Sequence, residues 1–245
     1  MVNIHHHGLT GPVLDEAAMG LFRQQWEVYR KLVDNDHVFH DEAYGVLHRV
    51  LVDEVAKPFR FLDLACGDAG AVVRALKGTR VAHYHGVDLA KPALDLARRN
   101  LDALGCELEL EQGDFVEAMR ARPEPADVVW IGLSLHHLET ADKRTLMSEI
   151  RGVLGEGGRF LIYEPTMPDG EERDGYLERY DRECRPLWTA LTPAEYEAVM
   201  AHVRSSDLPE TVSSWVALGR EAGFSAVQER FKAPTDLFRL FCYHA

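Results

Sequence analysis

FLDLACGDAG, Phe61 to Gly70, decides how the rest of the chain is read. An apolar run ends at an acidic residue, Asp63, and Gly67 and Gly70 follow at once. The next residues, AVVRALKG, are amphipathic at helical spacing. Strand, tight glycine turn and helix start are therefore expected in that order, the form of a nucleotide-binding turn. Lys57 to Leu64 supplies the strand, with Pro58 near its start, where a missing backbone N–H matters least.

Toward the C-terminus the rhythm repeats. VAHYHGVDLA, Val81 to Ala90, alternates as a second strand that ends at Asp88, and Lys91 to Leu104 is a helix entered through Pro92. CELELEQGDF, Cys106 to Phe115, is expected as a third strand closing on Gly113 and Asp114. DVVWIGL, Asp127 to Leu133, has the unbroken apolar character of a strand buried on both faces of a parallel sheet. A loop with His136 and His137 and an amphipathic helix lead to the fifth strand, Gly158 to Pro165. This alternation predicts an α/β fold with a doubly wound, mostly parallel, seven-stranded sheet. The last two strands lie in SAVQERFKAP and TDLFRLFCYHA, after a helix ended by Gly223.

Two segments stand outside the rhythm. From Asp15 to about Ala56, Met19, Phe22, Trp26, Tyr29 and Val33 recur at helical steps, and Tyr44, Leu47, Val50, Leu51 and Val55 do so after a polar break. Residues 1–57 are thus expected as an N-terminal helical cap on a cofactor-binding domain of residues 58–245. Residues 169–206 read as a charged, aromatic helical insertion after the fifth strand, serving as a lid.

The 245 residues carry a net charge of −13, with 46% hydrophobic and 27% charged side chains. Those proportions fit a globular domain with a substantial core. No lysine- and arginine-rich stripe suits a phosphate backbone, so nucleic acid is not an expected substrate. No apolar run is long enough to span a membrane and no secretory signal is seen, which makes the cytoplasm the expected location. Cys66, Cys106, Cys184 and Cys242 form no paired motif and read as reduced thiols. His5, His6 and His7 lack carboxylate or thiolate companions, so no metal is expected.

The charge of the turn narrows the cofactor. A dinucleotide would bring pyrophosphate to a helix start flanked by Asp63 and Asp68, which repel it. S-adenosylmethionine has no phosphate, and its ammonium and sulfonium are attracted by a carboxylate. FLDLACGDAG resembles the first motif of the class I S-adenosylmethionine-dependent methyltransferases of small molecules, with Ala65 where that family most often has its first Gly. The resemblance covers about residues 58–165 and 209–245 through ordered landmarks: Asp63, Gly67, Gly70, Asp88, Asp114 and Asp127.

The resemblance implies a Rossmann-like methyltransferase fold, S-adenosylmethionine as cofactor and S-adenosylhomocysteine as product. It places cofactor contacts at Asp63, Ala65, Gly67, Gly70, Asp88, Leu89, Asp114, Phe115 and Leu133. Asp63 would meet the ammonium, Asp88 the ribose, and Asp114 with Phe115 the adenine. His136 and His137 are the base candidates, since a neutral imidazole accepts a proton near pH 7, and Glu164 is read as orienting an amine or hydroxyl acceptor. Structural roles at a helix start or in the second layer are open for all three.

Acceptor contacts are expected from Tyr29 and His40 in the cap and from Arg173, Tyr176 and Tyr180 in the insertion, against core packing and a salt-bridged helix as alternatives. The reaction implied is methyl transfer to nitrogen or oxygen of a small molecule. A non-catalytic S-adenosylmethionine-binding subunit and an NAD-type oxidoreductase are the rival readings. Oligomeric state is not legible.

Overall fold

A computed structural model of the chain describes residues 27–121 and 124–245. The expected run from Asp15 therefore lies partly outside the described residues, as do Met19, Phe22, Trp26 and His5 to His7. Two compact units are present: residues up to His40 with Glu172–Asp207, and Asp41–Glu171 with Leu208–Ala245. The division runs through the N-terminal helices, so most of the second helix belongs to the sheet unit instead of the cap.

In the sheet unit, α2 (His40–Asp53) precedes β1 (Phe59–Leu64), α3 (Gly70–Leu76), β2 (Val81–Asp88), α4 (Lys91–Leu101) and β3 (Glu107–Gln112). Then come α5 (Phe115–Arg120), β4 (Ala126–Gly132), a short 3-10 turn at Leu135–His137, α6 (Thr140–Val153) and β5 (Leu154–Met167). After the insertion follow β6 (Glu210–Thr211), α9 (Val212–Glu221), β7 (Ala226–Lys232) and β8 (Phe238–His244). The sheet order is β3-β2-β1-β4-β5-β8-β7, with two-residue β6 beside β5 as an eighth strand. All pairs up to β5 are parallel, while β8 runs antiparallel to β5 and β7.

The parallel strands are buried because helices cover both faces. Leu62, Leu64, Val129, Ile131, Phe160 and Ile162 share a core with Leu146, Met147 and Ile150 of α6 and Trp215 and Leu218 of α9. The alternate residues Phe61 and Tyr84 stack at 6.0 Å, and Tyr44 of α2 meets Trp130 edge-on at 5.2 Å. Each such side chain contributes about 1.5–3 kcal/mol by leaving water. Since β1 to β5 point the same way, the ends of all five gather the functional residues on one edge of the sheet.

Within the helical unit, residues 27–34 form α1, and the insertion forms α7 (Arg173–Leu187) and α8 (Pro193–Ser206). Thr192 and Glu195 make a capping box at the start of α8, with Pro193 in its first turn. Lys31 pairs with Glu195 at 2.6 Å, and Trp188 Nε1 donates to the carbonyl of His37 at 2.9 Å. Pro186 lies inside the last turn of α7, and the helix ends after Leu187.

Candidate functional site

The sheet order reverses between β1 and β4, and open α/β sheets hold ligands outside the carboxyl ends of the strands at such a point. The turn after β1 and the loop after β4 flank it.

In the first of these, Ala65, Gly67 and Ala69 all have left-handed φ values, 59°, 56° and 56°. That winding brings the backbone tightly round to Gly70, whose N–H donates to Asp68 Oδ1 at 2.9 Å, and α3 begins there. Asn100 Nδ2 donates to the Asp68 carbonyl at 2.8 Å and holds the turn from α4. Asp88, at the end of β2, accepts the Gly67 N–H at Oδ2 and the Ala90 N–H at Oδ1, each at 2.8 Å. Burial raises the Asp88 carboxyl, and the two amides act against it.

Asp63 lies deeper, at 2% exposure, and accepts the Tyr84 hydroxyl at 2.6 Å. Burial pushes its carboxyl up to about 7; the Tyr84 hydrogen bond opposes this and the nearby Asp88 charge adds to it. Pattern reading missed Tyr84, because an aromatic ring in an alternating strand looks like core. The usable signal is register: Tyr84 pairs with Phe61, two residues before Asp63.

Leu89 projects outward at 45% exposure beside Asp88. The third strand stops earlier than the sequence suggests. Asp114 is the N-cap of α5, accepting the amides of Val116 at 2.8 Å and Glu117 at 3.1 Å, and Phe115 is half-buried as the first helical residue. The donor set suits S-adenosylmethionine: Asp63 and Asp88 on β1 and β2 and Asp114 at the start of α5 would attract a cationic, phosphate-free ligand and repel a pyrophosphate.

After β4, Leu133 takes φ 53° and donates its N–H to the Tyr163 carbonyl at 2.8 Å, which turns the chain sharply. Glu164 of β5 is fully buried and gathers the loop onto its two oxygens. Oε1 accepts the amides of Ser134 at 3.0 Å and Leu135 at 2.9 Å; Oε2 accepts that of His136 at 3.3 Å and lies 2.7 Å from His136 Nδ1. Burial pushes the Glu164 carboxyl up to about 7, against the pull of these three amides and the charge of His137.

The expectation that Glu164 orients an acceptor is therefore corrected: it orients His136. With Nδ1–H donated to the carboxylate, the lone pair of His136 sits on Nε2. His136 is 3% exposed, His137 is half-buried, and their rings lie 4.0 Å apart.

The remaining candidates belong to the helical unit. The rings of Tyr29 and His40 meet edge-on at 6.5 Å. Tyr176 and Tyr180 are buried and meet at 5.7 Å, and the row continues through Trp188 to Tyr196 at 5.8 and 5.9 Å. These ring contacts make them part of that unit's aromatic core. Arg173 departs from its expected role: its guanidinium donates to the carbonyls of Asp207 at 2.7 Å and Arg204 at 2.9 Å, closing the end of α8.

Comparison with known proteins identifies the family. A family profile described as a methyltransferase domain matches residues 61–158. The demethylmenaquinone methyltransferase of Thermus thermophilus is 32% identical over 179 residues, 70% of this chain and 77% of that protein. The ubiquinone/menaquinone biosynthesis C-methyltransferase UbiE of Methylobacterium nodulans is 26% identical over 83% of this chain and 84% of its own length. Among solved structures, an O-methyltransferase family protein from Burkholderia thailandensis superposes with a TM-score of 0.63 at 20% identity, covering 87% of this chain. The chain spans 59% of that structure, and the likeness supports the fold. On these grounds the chain belongs to the class I S-adenosylmethionine-dependent methyltransferases.

Proposed function

We propose that this enzyme methylates a nitrogen or oxygen of a small molecule, with His136 as the base that takes the acceptor's proton. The observation that carries the reading is the buried Glu164–His136 pair beside the point where the sheet order reverses. When bound, S-adenosylmethionine supplies an electrophilic methyl group on a positively charged sulfur.

The chain's own residues do the rest. Asp63 attracts the ammonium, Asp88 accepts the ribose hydroxyls, and Asp114 with Phe115 addresses the adenine, while Leu89 and Leu133 give apolar contact. The left-handed turn at Ala65 and Gly67 lets backbone approach the methionyl part, and Gly70 opens the helix behind it. A hydroxyl or amine acceptor gives its proton to His136 Nε2, and Glu164 stabilises the imidazolium through Nδ1. His137, its ring tilted against that of His136, lies beside the base.

The test is a methyl-transfer screen of phenols, amines, carboxylates and thiols, read by release of S-adenosylhomocysteine. Turnover of at least one phenol or amine is expected; turnover of none of the panel, with S-adenosylmethionine bound, counts against the small-molecule reading. A second reading, methylation of carbon beside an ionised hydroxyl, is favoured by the C-methyltransferase relative. The same base would serve it, and mass analysis of the product separates the two.

A further inference from the structure

Lys143 lies on α6 with no exposed surface. A buried ammonium is strongly unfavourable without partners, and this one has them. Nζ donates to the Leu208 carbonyl at 2.5 Å and to Glu210 Oε1 at 2.9 Å, and it stands 5.6 Å from the centre of the Trp215 ring. Glu210 is engaged on both oxygens: Thr140 Oγ1 donates to Oε1 at 2.7 Å and Ser214 Oγ to Oε2 at 2.6 Å. Burial alone would raise the Glu210 carboxyl, but Ser214, Lys143 and Thr140 together hold it below the usual range.

Replacing a buried ion pair by apolar groups of similar volume is often neutral for stability, so stability alone does not account for Lys143. What the pair does supply is placement. Leu208 is the link: its carbonyl takes the Lys143 ammonium while its N–H donates to the carbonyl of His136 at 2.7 Å. His136 is thereby held at three points, its N–H and Nδ1 by Glu164 and its carbonyl by Leu208.

We propose that Lys143 is a positioning residue for His136, acting through Leu208 to fix the carbonyl side of the His136 peptide. The inference rests on His136 as the base and adds what sets the ring in place. Without the anchor, the His136 peptide plane can rotate and the ring leaves Glu164.

The test uses Lys143→Met and Lys143→Met combined with Glu210→Gln, the latter leaving no unpaired charge in the core. Both are compared with the wild type, saturated with S-adenosylhomocysteine, by amide hydrogen exchange and by nitrogen NMR of the histidine rings above about pH 8, where imidazole is neutral. In the wild type the Leu208 amide is expected to be as protected as the sheet, and His136 to show the Nδ1–H form.

In the variants, Leu208 should exchange at least about tenfold faster and a second His136 tautomer should appear. His48, whose Nδ1 lies 2.8 Å from the Ala75 carbonyl, should be unchanged. A wild-type Leu208 amide that exchanges like an exposed loop overturns the proposal, as does a folded double variant with wild-type exchange and tautomer. His136→Gln turnover is read separately: unchanged turnover there would remove the base and leave the anchor standing.

Discussion

Ala65 occupies a backbone conformation that glycine adopts without strain. At φ 59° its Cβ crowds the next carbonyl, a penalty of about 1–2 kcal/mol, while glycine would lose about 0.5–1 kcal/mol more chain entropy. The difference favours glycine, so Ala65→Gly should raise stability by up to about 1 kcal/mol in chemical denaturation. Loss of stability would show that the turn relaxes around the methyl group.

Asp63 carries a pH signature. Its folded carboxyl titrates at about 7, raised by burial above the unfolded value of 3.8. Its contribution to stability is thus fully present below the unfolded value and lost as pH rises through about 7. Cofactor binding runs the other way, because the ammonium is attracted by the ionised form.

Tyr84, Asp88 and Cys66 are the other ionisable groups around Asp63. Glu164 titrates in the same range but faces the amides of residues 134–136 and His136. Calorimetry with S-adenosylhomocysteine should show affinity rising between about pH 6 and 8, and Asp63→Asn should flatten the curve. A flat wild-type curve would contradict the ammonium assignment.

The elements show where pattern reading succeeds. β1, β4 and the core of β5 are legible because burial on both faces of a parallel sheet demands unbroken apolar runs, and β8, paired on both sides and buried from Phe238 to Tyr243, is legible as a mostly apolar stretch. α5 is not legible, since six residues are too few for a helical period to register. Its cap, Asp114, was visible only as an acidic strand end.

That double position makes a prediction: Asp114→Ala should lose about 0.5–2 kcal/mol of stability as a cap and weaken cofactor binding, while Asp114→Asn should keep the cap. The N-terminal extension of β5 to Leu154 runs through Gly155, Gly157 and Gly158, residues that read as a turn, so the sequence pattern does not show it. At the second strand, Asp88→Ala should weaken S-adenosylmethionine by about 1.5–3 kcal/mol through lost charged hydrogen bonds.

For the whole molecule, the division into a sheet unit and a helical unit follows contacts between distant segments, and residues near His40 and Glu172 give no local sign of it. The Glu164–His136 pairing was likewise out of reach: the residues lie 28 apart, and a buried glutamate is recognisable only once β5 is placed beside β4. Among the described residues, no helix is long and apolar enough to cross a membrane.

The direct test of the account is the rate of S-adenosylhomocysteine release by wild type and His136→Gln with the acceptor found in the small-molecule screen. The variant should bind S-adenosylhomocysteine as the wild type does and lose about 10²- to 10⁴-fold in turnover. Equal turnover by the two proteins would contradict it.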